Sequence, residues 1–84
     1  MVSEGKLLTR ILGGLSDANI GFEELRGLLR GYGFSERIKG SHHLFAREGV
    51  SELVNLQRDG SKAKPYQVKQ VRSLILKYRL AKEE

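Results

Sequence analysis

Apolar residues recur along this chain with two different periods, and the switch between them lays out its elements. Leu7, Leu8, Ile11 and Leu12 stand three and four residues apart, the spacing of one side of a helix. Ser3 is placed to cap that helix and Gly13-Gly14 to end it. The small and polar residues from Leu15 to Asn19 read as a connector. Phe22, Leu25, Leu28, Leu29 and Tyr32 repeat the helical spacing, which predicts a second helix over about Phe22–Tyr32 with one buried face. Its start is the best marked in the chain. With Gly21 as N-cap, Ile20 and Leu25 occupy the hydrophobic-staple positions and Glu24 the capping-box position, while Gly33 can adopt the left-handed conformation that closes the helix.

Beyond Phe34 the period shortens toward two. Extended segments are expected at roughly Phe34–Lys39, His42–Arg47 and Glu52–Gln57, separated by Gly40-Ser41 and by a turn around Glu48-Gly49. Phe34 and Ile38 share one face of the first, and Val54 and Leu56 one face of the third, as in an antiparallel sheet covered on one side. In the middle segment His42, Leu44 and Ala46 oppose His43 and Phe45, and periodicity leaves open which set is buried. Asp59-Gly60-Ser61-Lys62 reads as a turn, and Pro65 suits the first position of a closing helix with the stripe Val68, Val71, Leu74, Ile75 and Tyr78. The order α-α-β-β-β-α predicts an α+β fold, a three-stranded antiparallel sheet with helices packed on one face. No internal repeat or low-complexity stretch is present.

Length and composition narrow the function. At 84 residues, 39% of them hydrophobic, the chain suits a single folded domain rather than two small ones. It has no cysteine, which excludes disulfides and thiolate zinc sites and suits a reducing cytoplasm. Glu4, Lys6 and Arg10 interrupt the first apolar stretch, so neither signal peptide nor membrane span is expected. The net charge is +5, and Arg58, Lys62, Lys64, Lys69, Arg72, Lys77, Arg79 and Lys82 face only Asp59 within their span. Such a field attracts polyanions, with nucleic acid the first candidate. The alternative is a solvated helix face selected for solubility.

The candidate chemistry lies in Gly40-Ser41-His42-His43, which opens the middle strand just after a tight turn. Imidazole both accepts and donates a proton near neutral pH, the capacity needed to activate a ribose 2′-hydroxyl or to protonate a leaving oxygen. On chemistry alone His42 and His43 are equivalent, and a surface or structural role competes with a catalytic one. A metal site is disfavoured because adjacent strand residues point to opposite faces and no thiolate or nearby Asp completes a shell. Ser41 has no nucleophile-elbow context, and there is no Walker-type glycine loop. Lys62, Lys64 and Tyr66 surround the start of the last helix, where a phosphate could dock. Tyr66 is suited either to stack a base or to seal that helix against the sheet, the latter being the more ordinary use.

Taken together, Tyr32-Gly33-Phe34, Lys39-Gly40-Ser41-His42-His43-Leu44-Phe45, Leu53-Val54-Asn55-Leu56 and Lys64-Pro65-Tyr66 resemble the HicA family, the toxins of HicA–HicB toxin–antitoxin pairs. The similarity spans about Ile20 to Leu80, and residues 1–19 add a helical extension. It implies a fold akin to the double-stranded RNA-binding domain, cleavage of mRNA without a metal or other cofactor, and neutralisation by a HicB-like antitoxin that covers the active site. The family histidine maps onto His42, with His43 as second choice. Lys39, Ser41, Lys62, Lys64, Lys69 and Arg72 are the expected RNA contacts, and no second catalytic group is assigned. The extension either enlarges the core, as favoured for a short element with this apolar face, or joins the antitoxin surface. Two alternatives remain, a noncatalytic RNA-binding module and a basic partner for an acidic protein.

Overall fold

The computed structural model describes residues 2–82, with side chains from 5 to 81. Helix α1, Val2–Gly13, buries Leu7 and Ile11 and leaves Leu12 38% exposed, so its apolar side is narrower than the spacing suggested. Ser3 lies inside its first turn rather than ahead of it. A single 3-10 turn, Asp17–Asn19, leads to α2, Phe22–Gly31. Ile20 and Leu25 are both fully buried at the start of α2, and the Gly21 N–H donates to Glu24 Oε1 at 3.2 Å, the staple and half of the capping box. At the other end Gly33 has φ +92°. The Gly33 N–H reaches the Arg30 carbonyl at 3.0 Å and the Phe34 N–H reaches Leu29 at 3.1 Å, a Schellman closure that tucks Phe34 into the core ahead of the sheet.

The sheet has the order β1-β2-β3, all antiparallel, from β1 Ser35–Lys39, β2 His42–Arg47 and β3 Val50–Leu56. Gly40, at φ +59°, takes the first place of the two-residue loop joining β1 to β2, a position where a side chain would be strained. The register between β2 and β3 slips between Phe45 and Arg47. After β3 the chain makes a small second hairpin, β4 Arg58–Asp59 with β5 Lys62–Ala63, where only a turn was expected. This hairpin is held to the start of α2: the Phe22 N–H donates to Ser61 and the Ala63 N–H to Ile20, both at 2.9 Å. Helix α3, Pro65–Lys77, follows with Pro65 at its start. A last 3-10 turn, Leu80–Lys82, buries Leu80.

Phe45 is fully buried with Val54 and Leu56 against the apolar sides of α2 and α3. Alternation therefore sends His43 toward the helices and His42, Leu44 and Ala46 to the open face. Helices cover one face of the sheet, as expected. Ile38, expected inside with Phe34, is 56% exposed, because it stands near the end of an edge strand with a neighbour on one side only. No described helix is long and apolar enough to cross a membrane.

Candidate functional site

The tight turn sets the site. Pairing of β1 with β2 places Lys39 opposite His42 and Arg37 opposite Leu44, and directly opposed residues share a face. The open face therefore carries Arg37, Lys39 and His42 side by side. β3 adds to it: Asn55 pairs with Leu44, and its Oδ1 lies 3.2 Å from His42 Nδ1. At the other side of the ring, Gln57 Nε2 is 3.5 Å from His42 Nε2 and 3.4 Å from Ser41 Oγ. His42 is exposed, so an imidazole, a hydroxyl, two amides and an ammonium group share a solvent-reachable surface.

His43 occupies a different environment. Its side chain is 12% exposed and its ring meets Phe22 edge to face, centroids 4.9 Å apart. His43 Nδ1 lies 2.7 Å from Glu36 Oε2. Arg26 clamps the same carboxylate, Nε to Oε2 at 2.7 Å and Nη2 to Oε1 at 2.9 Å. The Arg26 hydrogen bonds, aided by His43 and opposed by burial, hold the Glu36 carboxyl down at about 2. Arg26 continues to Glu23 at 2.6 Å, and Glu23 to Arg58, whose guanidinium sits 4.6 Å over the Phe22 ring. This chain of charges fastens α2, β1, β2 and β4 around Phe22. The second-choice histidine is thus engaged in holding the fold.

The basic residues divide in the same way. Lys39 and Ser41 stand beside His42. Lys62 and Lys69 are exposed and Lys64 half-buried, and none of the three has an ion pair or joins the His42 group among the described residues. Arg72, expected to contact phosphate, is instead committed internally: Nη1 donates to Asp17 Oδ1 at 2.9 Å and to the Ile11 carbonyl at 3.0 Å. Its charge ties α3 to the 3-10 turn, and its hydrogen bond to Ile11 ties α3 to the end of α1. Arg58 and Lys77 are likewise matched, to Glu23 and Glu52. Tyr66 does not seal α3 against the sheet: it is 62% exposed, with buried Gln67 reaching its hydroxyl at 3.5 Å.

Asn55 and Gln57 were not anticipated as partners of His42. The signal lay in Val54 and Leu56, whose burial sends Asn55 and Gln57 to the opposite face; it became usable only once the open face of β2 was known. Nothing in the sequence signalled the meeting of Arg26 with Glu36. Among the described residues no group of three or more His, Asp or Glu is placed to hold a metal ion. Comparisons with protein-family models, with curated proteins and with solved structures found no match.

Proposed function

We propose that this protein is an RNA endonuclease of the HicA kind, acting on mRNA in the cytoplasm and held in check by a HicB-like antitoxin. The observation that carries this reading is the exposed His42 imidazole beside Lys39 on the uncovered face of the sheet. The reaction is transesterification without a metal. His42 takes the proton of a ribose 2′-hydroxyl, O2′ bonds to phosphorus, and the bond from phosphorus to O5′ breaks as that oxygen takes a proton from solvent water. The products are a 2′,3′-cyclic phosphate and a 5′-hydroxyl. Lys39 supplies positive charge to the phosphorane, and Lys62, Lys64 and Lys69 hold flanking phosphates.

A noncatalytic RNA-binding module is the second reading, favoured by one feature: the side chains hydrogen-bonded to His42 are amides, which neither give nor take a proton at neutral pH. Cleavage of an mRNA fragment in EDTA separates the two. The nuclease reading expects cyclic-phosphate ends from the parent, a loss of at least about 100-fold in His42→Ala, and RNA binding kept. Binding without cleavage by the parent supports the second reading; equal cleavage by parent and variant overturns the role of His42.

A further inference from the structure

We propose that Asn55 is a positioning residue that holds the His42 ring in its Nδ1–H tautomer, so that Nε2 is the nitrogen that exchanges a proton with RNA. The inference rests on the nuclease reading for its consequence but not for its test. A neutral imidazole carries one N–H and one lone pair, and the hydrogen bond made by one nitrogen decides which is which. Asn55 Oδ1, a pure acceptor, lies 3.2 Å from His42 Nδ1, which requires the hydrogen on Nδ1. On the far side the nitrogen of the Gln57 amide faces Nε2 at 3.5 Å, and an N–H donor there requires a lone pair. Both neighbours therefore select the same tautomer, opposite to the Nε2–H form that an unrestrained histidine side chain favours in water.

The two contacts differ in strength, and the difference gives each residue its job. At 3.2 Å Asn55 makes an ordinary hydrogen bond, whereas Gln57 stands at the limit of one and is shared with Ser41 Oγ at 3.4 Å. Asn55 keeps hold of the ring while a 2′-hydroxyl displaces the Gln57 amide from Nε2. The freed Gln57 N–H groups remain beside the reacting atoms, where Ser41 or a phosphate oxygen can accept them. Both anchors come from the β3 side of the open face, so the backbone pairing that fixes Asn55 opposite Leu44 also fixes the direction in which Nε2 points. Asn55 is exposed, and its replacement leaves the core untouched.

The test is the ¹⁵N spectrum of the imidazole rings in the whole chain without RNA, at a pH where the rings are neutral, with His42→Ala assigning the signals. The parent is expected to show His42 with the hydrogen mainly on Nδ1. Asn55→Leu, which removes the acceptor, moves it toward Nε2–H, and Asn55→Asp, which keeps an acceptor at that place, retains Nδ1–H. His43, held by Glu36, stays unchanged throughout. At saturating RNA, Asn55→Leu is expected to cut about tenfold more slowly. A parent ring with the hydrogen on Nε2, or an Asn55→Leu spectrum identical to the parent's, overturns the proposal. Should the parent fail to cleave any RNA, the nuclease reading falls while the tautomer result still decides the role of Asn55.

Discussion

One peptide bond joins His42 to His43, yet the pleat of β2 gives them opposite surroundings: amides and solvent for the first, a carboxylate and a phenyl ring for the second. Sequence alone left them equivalent because β2 has an apolar residue of similar size on each face, Leu44 and Phe45, and only tertiary packing decides between them. Glu36 makes the inner environment testable. Its carboxyl, ordinarily near 4.5, is held at about 2, so the ionised form is bound more tightly in the folded state. The stability this contributes is complete above about pH 4.5 and is lost as pH falls toward 2. Glu36→Gln is expected to cost about 1–3 kcal/mol at pH 7 and to flatten, in urea titrations across that acid range, part of the decline. A share of the decline remains, because Lys77 and Tyr78 hold Glu52 at about 2 as well.

At the scale of elements, the caps were the most legible features. Gly21, Glu24, Gly33 and Pro65 each act locally, through backbone geometry that a few neighbouring residues determine. What escaped was set by distant contacts. The β4–β5 hairpin is too short to show a period and exists because its backbone pairs with the entry to α2. Arg72 sits on a basic helix and nothing nearby in sequence announces Asp17 as its partner. The N-terminal extension belongs to the core through Leu7 and Ile11. Ile11→Ala is therefore expected to destabilise the chain by about 2–4 kcal/mol, read as a lower urea midpoint. Arg72→Ala leaves the buried side of Asp17 and the Ile11 carbonyl without a donor and is expected to cost about 1–3 kcal/mol while leaving the salt dependence of RNA binding unchanged.

Across the whole molecule, the strongly positive final third is only partly a field for a ligand. Carboxylates brought from α1–α2 and β3 neutralise Arg58, Arg72 and Lys77, which charge counting along the chain could not reveal. Lys62, Lys64 and Lys69 keep their charge open among the described residues, joined by Lys39 at the site. Lys64→Ala is expected to lower the slope of log affinity against log salt by about one, in contrast to Arg72→Ala; equal slopes for both variants would remove Lys64 from the footprint. The nuclease reading assigns the exposed His42 to cleavage and the inward-facing His43 to the fold. It is tested most directly by measuring RNA cleavage and urea stability side by side for His42→Ala and His43→Ala. His42→Ala is expected to abolish cleavage with its urea midpoint unchanged, and His43→Ala to lower the midpoint while the fraction still folded cuts RNA. Cleavage surviving in His42→Ala and lost in a fully folded His43→Ala would contradict it.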